Sequence, residues 1–256
     1  LRDEGRLKNV LMLGQQPKTR MPDLWAASDV SLILLKKMEL FKAVIPSKIF
    51  ESMAMKKPIV LGVEGESRDL VMASQTGISI EPENADELAE AIEKMARIYM
   101  GLDRYEQAYE CYEKIIKTNK KHTGALSGLG QLCQINGDMG KATSYFKQSL
   151  KIDKNDAKVN CGCANTLFAS NQYAESAKYY RKAIQISPEY VEAHIKLGHA
   201  YFQISDFDEA AKSYTKGAIL DPTLEDLSTY LRNVVENISD ASVRYEVRQI
   251  LEKRIQ

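Results

Sequence analysis

The stretch Pro46-Ser47-Lys48-Ile49-Phe50-Glu51 has the residue types and spacing best suited to chemistry. A proline followed by a serine at the head of an apolar-periodic run opens a helix, with the Ser47 hydroxyl as its cap. The backbone N–H groups of Lys48 and Ile49 then point outward. Such a helix start attracts an anion, and the Lys48 ammonium adds positive charge beside it. Glu51 lies one turn further along, where its carboxylate can accept hydrogen bonds from hydroxyl groups. Apart from their surroundings, the same residues also read as a serine cap followed by a solvated helix face. Phe50 and Met53 read as core. Upstream, Gly14 ends a short apolar run, either to let a loop approach a ligand or simply to turn the chain.

The four cysteines, Cys111, Cys133, Cys161 and Cys163, lie within helical patterns, so free buried thiols are expected rather than disulfides. A zinc site needs about four ligands. Cys161 and Cys163 stand about 200° apart on one helix, and His194 and His199, five residues apart, do not complete a set. No metal and no cofactor are expected. The 35 Lys and Arg balance 35 Asp and Glu, which leaves no excess to drive general binding of nucleic acid or of an anionic membrane. Hydrophobic residues at 44% and charged residues at 27% are ordinary globular values. No apolar run approaches the roughly 18 residues of a membrane span, and Leu1-Arg2-Asp3-Glu4 is too polar to begin a secretory signal. A cytoplasmic location is expected. The chain starts with Leu inside what reads as a helix end, and is taken as a piece of a longer parent.

The elements that must position these residues fall into two halves. Up to about residue 88, short apolar runs alternate with amphipathic helical segments. Strands are expected at Val10–Leu13, Val30–Leu35, Pro58–Val63 and Gly77–Ile80, and helices at Met21–Ser28, Ser47–Met55 and Ser67–Ser74 and from Ala85 onward. Strict alternation with strands apolar on both faces implies a parallel sheet covered by helices, part of a Rossmann-like domain.

Beyond residue 88 the pattern is purely helical with a 34-residue period. Ala96, Gly130, Ala164 and Gly198 share one small position, and Ala108, Ala142, Ser176 and Ala210 another. Large residues recur at Tyr105, Met139, Tyr173 and Phe207, and at Tyr112, Phe146, Tyr180 and Tyr214. Small residues let the two helices of a hairpin cross closely, while the rings fill the groove to the next hairpin. This resembles the tetratricopeptide repeat (TPR), laid out as 89–122, 123–156, 157–190 and 191–224, with capping helices over 225–256. Asn160 and His194 stand where that repeat often has Trp, and Lys120 and Lys154 replace its usual Pro. The fold class is thus α/β followed by an all-α solenoid.

The first half has a second resemblance. The run Asn9 to Gly14, the segment Met21-Pro22-Asp23-Leu24-Trp25-Ala26-Ala27-Ser28-Asp29-Val30 and the segment Pro46 to Val60 together resemble the C-terminal domain of family 4 (GT-B type) glycosyltransferases. The branch most like it is the bacterial aminosugar transferases of surface polysaccharide synthesis. The resemblance spans residues 1 to about 96, and implies half of one of that fold's two Rossmann domains. It implies a nucleotide-sugar donor as substrate, with its diphosphate at the Ser47, Lys48 and Ile49 helix start, its ribose on Glu51 and its base near Gly14. Many members carry a second Glu where Ala43 stands here, and a glycine missing from Phe41-Lys42-Ala43-Val44-Ile45. Glu64, Gly65 and Glu66 are weaker candidates. The resemblance further implies that the family's basic diphosphate-binding residues and its acceptor domain would precede Leu1, so the parent is expected to be the transferase and this segment alone inactive. Peripheral membrane association of the parent is left open.

A second reading puts the function in the repeats: a scaffold binding a protein or peptide, with the α/β part structural only. Arg97, Gln131, Asn165 and His199 are expected to face the concave groove, with Ser127, Cys161 and Ile195 one turn earlier. Only Asn165 stands at a place comparable to the two-carboxylate clamp of chaperone-binding members, and a solvated surface without a fixed ligand is the plain alternative for all of them. No Gly-, Ser- or Pro-rich linker separates the halves. The helix around Asp86–Ala96 is expected to serve both and to make the connection stiff.

Overall fold

The computed structural model describes residues 17–28 and 30–253. The expected strand at Val10–Leu13 and Gly14 lie outside these residues. The first part runs α1 (Met21–Ala26), β1 (Ser31–Leu34), α2 (Glu39–Lys42), α3 (Ser47–Ala54), β2 (Ile59–Gly62), α4 (Glu66–Ala73), β3 (Gly77–Ser79) and α5 (Ala85–Gly101). The strands form a parallel sheet in the order β1-β2-β3, with Ser31 opposite Ile59 and Ile59 opposite Gly77. Parallel neighbours need a crossover, and right-handed crossovers between consecutive strands put the intervening helices on one face. Ile49 of α3 and Val71 of α4 accordingly pack with Ile33, Ile59 and Leu61. On the other face Val60 and Ile80 meet Ala91 and Leu88 of α5. Covered on both sides, all four residues of β2 are buried, which is why its sequence is uninterruptedly apolar.

Three local expectations need correction. The segment after β1, where no helix is expected, contains the single turn α2; it is too short to show a period and is closed by an ion pair from Lys42 to Glu39 at 2.7 Å. Phe50 is 53% exposed. Successive residues of a helix point about 100° apart, and the face turned to the sheet is set by fully buried Ile49 and Ser52. Ser52 is tolerated in that core because its hydroxyl donates to the Lys48 carbonyl at 2.6 Å and shares a hydrogen bond with the Ser31 hydroxyl at 2.8 Å. Leu32 and Leu34, on alternate positions of β1, are exposed.

The remaining helices are α6 (Tyr105–Thr118), α7 (Thr123–Ile135), α8 (Met139–Ile152), α9 (Ala157–Ala169), α10 (Tyr173–Ile186), α11 (Val191–Gln203), α12 (Phe207–Leu220), α13 (Asp226–Val235) and α14 (Ala241–Lys253). The chain divides into two compact units between Ala91 and Ile92, inside α5. In the second unit α7 packs on α8, α9 on α10 and α11 on α12, and the pairs stack through α8–α9 and α10–α11. The turns before α6, α8, α10 and α12 each use one left-handed residue: Asp103, Gly137, Asn171 and Ser205, at φ 56, 79, 59 and 61°, recur every 34 residues. Asp138 and Asp206 then cap α8 and α12 by accepting from the amides of Lys141 and Glu209.

Rings fill the crossings as expected. Phe146 is 1% exposed and lies between Gly130 and Gly162; a Cβ on either would come within 2.8 or 2.9 Å of the ring. Where the repeat often has Trp, Asn160 and His194 instead tie down the preceding turn. Asn160 Nδ2 donates to the Lys154 carbonyl at 3.2 Å, and His194 Nε2 to the equivalent Pro188 carbonyl at 2.9 Å. The four cysteines are buried and unpaired with one another, and burial pushes the Cys161 and Cys163 thiols up to about 11. Among the described residues no helix is long and apolar enough to cross a membrane.

Candidate functional site

In an open parallel α/β sheet, ligands bind outside the carboxyl ends of the strands, where the following helices begin. Helix α3 starts on that side of the sheet after β1, and α4 after β2. Ser47, Lys48 and Glu51 are exposed there on α3, and their spacing puts Glu51 on the same helix face as Ser47 and Lys48.

The helix start differs in detail from expectation. Pro46, with extended backbone at φ −60° and ψ 132°, occupies the cap position, so Ser47 is the first helical residue and does not cap the helix. A proline cap brings no side-chain acceptor, and the chain compensates by tightening the first turn: the Ile49 amide donates to the Pro46 carbonyl at 3.0 Å. The Ile49 side chain is fully buried. Of the three residues expected at the helix start, Ser47 and Lys48 stay at its exposed end, while Ile49 anchors the helix to the sheet.

Sequence reasoning missed a charged group at the same strand ends. Lys37, just past β1, pairs with Glu64 at 3.0 Å and with Glu81 at 3.5 Å, residues just past β2 and β3. Lys42 reaches Glu64 at 3.5 Å. The hydrogen bond from Lys37 holds the Glu64 carboxyl below its usual range, and the same bond raises Lys37. Gly65, singled out from the sequence, shapes this corner: it has φ 76°, and a Cβ would fall 2.1 Å from the Lys42 carbonyl oxygen. Only glycine allows α4 to start that close to α2. Ser67 locks the approach by donating to the Val44 carbonyl at 2.9 Å. The adjacent pair Lys36-Lys37 at a strand end was the available signal.

The four expected groove residues are used unequally. Arg97 and Gln131 are exposed, and Arg97 is paired with Glu93 at 2.5 Å. Asn165 accepts a hydrogen bond from the Tyr180 hydroxyl at 2.5 Å, and His199 shares one with the Tyr214 hydroxyl at 2.8 Å. These bonds are equivalent, 34 residues apart, and orient both side chains from the second helix of their own repeat. In the preceding repeat the partner position is Phe146, which has no hydroxyl. Burial, and secondarily the Lys196 ammonium, push His199 below its ordinary value. Cys161 is a correction: at 2% exposure it is core and lines no groove. Ile195 is half-buried against the adjoining core.

Residues 2–120 match the family model for glycosyl transferases group 1. Tetratricopeptide-repeat models match residues 93–157, 164–205 and 191–224. The chain thus carries a group 1 glycosyltransferase region and TPR repeats, and the two matches overlap on part of α5 and on α6. Among solved structures, a crystal structure of MamA protein superposes with TM-score 0.58 at 18% identity, covering 66% of this chain and 91% of that one. YrrB, described as a TPR protein with an unusual peptide-binding site, gives TM-score 0.55 at 17% identity, over 65% and 84%. PilF of Pseudomonas aeruginosa gives 0.55 at 17%, over 66% and 77%. At such identities the likeness is one of fold. No curated protein matches the chain.

Proposed function

We propose that a chain holding a group 1 glycosyltransferase region and TPR repeats supplies the donor-binding part of a nucleotide-sugar glycosyltransferase, together with a module that docks a protein or peptide. The observation that carries the first half is the coincidence of the matched region with an exposed helix start at the carboxyl ends of a parallel sheet. The Ser47 and Lys48 amides and the Lys48 ammonium suit a diphosphate, whose leaving-group charge is what such an enzyme stabilises. Glu51, one turn on, suits the ribose hydroxyls. The finer assignment, a GT-B enzyme of the aminosugar branch working on surface polysaccharide in the cytoplasm, follows the combined resemblance of the segments Asn9 to Gly14, Met21 to Val30 and Pro46 to Val60. For the second half, the oriented side chains of Asn165 and His199 offer polar atoms to a peptide, and a neighbour of the same fold is described as having a peptide-binding site.

A second reading, in which the α/β part is structural only, is favoured by the charge at the strand ends. Lys37 and Lys42 are both engaged by Glu64, so their charge is partly spent before any diphosphate arrives. Calorimetry with a nucleoside diphosphate on the full protein separates the two. Glu51→Ala removes a charged acceptor of hydrogen bonds, which typically costs about 1.5–3 kcal/mol, or on the order of ten- to a hundredfold in affinity. Glu90→Ala removes the same charge from an exposed position on α5 and leaves binding unchanged. Equal affinities for the two variants would overturn the assignment of Glu51, and no binding by the unaltered protein would favour the structural reading.

A further inference from the structure

The second helices of the last three repeats carry a charge asymmetry hidden by the neutral total. Helices α8, α10 and α12 hold eight Lys and Arg (Lys141, Lys147, Lys151, Lys178, Arg181, Lys182, Lys212 and Lys216) against three carboxylates, a net +5 in a chain whose formal net charge is zero. The three carboxylates, Glu175, Asp208 and Glu209, all sit in first turns, and all are engaged. Glu175 pairs with Lys147 and Glu209 with Lys212, and Asp208 accepts from the amides of Ser239 and Asp240.

Between α8 and α10 the surface recesses into a cavity of about 410 Å³. Lys147, Lys151, Lys154 and Lys182 stand around it, over a lining that includes Leu150 and Tyr179. Asp153 and Asp156 of the adjoining turn accept from the Asn155 and Val159 amides and form no ion pair with the lysines of the recess. Among the described residues no carboxylate lies within ion-pair reach of Lys151, Lys154 or Lys182. The next recess, about 280 Å³ between α10 and α12, is lined by Arg181, Lys212 and Lys216 with Ile184 and Leu197, and shares Gln185 with the first. Lys147 and Lys182 of the first recur 34 residues on as Arg181 and Lys216 of the second. Two adjoining cationic recesses with aliphatic linings therefore repeat in register.

We infer that these recesses form a binding groove for an acidic peptide segment of a partner protein, its cations standing on α8, α10, α12 and the turn after α8 rather than on the helices of Arg97, Gln131, Asn165 and His199. The charge selects carboxylates, and the aliphatic lining takes apolar side chains between them. An extended chain rises about 3.3 Å per residue, so a Glu at every third position presents a carboxylate about every 10 Å along the groove. Nucleic acid fits less well. The aromatic of the first recess, Tyr179, already has the Lys182 and Lys147 ammoniums 5.1 and 6.0 Å from its ring centroid, and a base stacking there would compete with them for the ring. An anionic bilayer favours a protruding flat patch over a recess.

The probe is a fluorescent synthetic peptide with Glu at every third position and Leu between, titrated into the full protein and read by anisotropy. A second peptide with Gln for every Glu serves as the control. The acidic peptide is expected to bind and the control not. The exposed pair Lys151→Glu and Lys182→Glu is expected to weaken binding at least about tenfold, whereas Arg97→Ala is expected to leave it unchanged. Circular dichroism checks that the variants stay folded, and the milder pair Lys151→Gln with Lys182→Gln is expected to give a smaller loss in the same direction. Equal binding of both peptides, or no effect of either lysine pair, overturns the inference. So does tighter binding, sensitive to the same pairs, of a single-stranded oligonucleotide or of phosphatidylserine vesicles.

Discussion

Replacing Gly162 by Ala tests how closely the repeats are fitted. Phe146 of one hairpin reaches into the next, and a Cβ at 162 would stand 2.9, 3.1 and 3.4 Å from three ring carbons. The ring is 1% exposed and has Gly130 on its other side, so it has little room to retreat. Overpacking of this kind costs about 1–3 kcal/mol, while alanine recovers about 1 kcal/mol of helix propensity. The expected net loss is about 1 kcal/mol, a fall of roughly 2–4 °C in melting temperature for a unit of this size. In a Phe146→Leu background the ring is gone, and the added methyl fills part of the void it leaves. There Gly162→Ala should change sign and stabilise by up to about 1 kcal/mol. Gly140→Ala is the control: its nearest neighbour would be Asp138 Oδ1 at 3.8 Å, so it should be neutral or mildly stabilising in both backgrounds. Urea unfolding followed by far-ultraviolet circular dichroism gives all the required differences. A Gly162→Ala effect of the same sign and size with and without the Phe146 ring would refute the reasoning.

His199 links the repeats to pH. Its ring is held below the ordinary value by burial and by Lys196, so as pH falls through about 6.5 the unfolded chain takes the proton first and stability declines. His199→Asn, which copies Asn165 of the preceding repeat, should remove that part of the decline, and an identical loss of urea midpoint in both proteins would count against it. Hydrogen exchange should show the amides of β2 and β3 opening before those of α7 to α12, because a small cluster around Ile49, Ile59 and Leu61 holds the sheet, while a larger core runs from α9 to α14 and a second cluster spans α7 to α9, with Tyr179 packed against both. Equal protection in both units would contradict this.

Much of the architecture was legible because it rests on local, periodic signals. Among the described residues, three β-branched or aliphatic runs between turn residues announced strands, and β2 was readable as central because its residues are apolar without alternation. The 34-residue spacing of Ala96, Gly130, Ala164 and Gly198 exposed the hairpins, since a small residue where two helices cross is a requirement repeated in every unit. Even irregularities kept the period: Asn160 and His194 were visible as departures, although their use as tethers to Lys154 and Pro188 was not.

What the sequence by itself determined was therefore the kind, order and repeat of the elements, and the segment Pro46–Glu51 as a helix start with a cation and a carboxylate on one face. Tertiary structure decided which neighbours each residue meets. Phe50 and Ile49 are adjacent and both apolar, yet only the direction of the sheet makes one exposed and the other core. Cys161 has groove spacing but sits against the next hairpin. Lys37, Glu64 and Glu81 are far apart in the chain and converge because three parallel strands end on the same side. The lysines of α8 and α10 become a groove only when two helices from different repeats stand side by side. Periodicity reports the face a residue occupies on its own element, whereas charge pairing and recess formation depend on distances between elements that chain folding alone brings together.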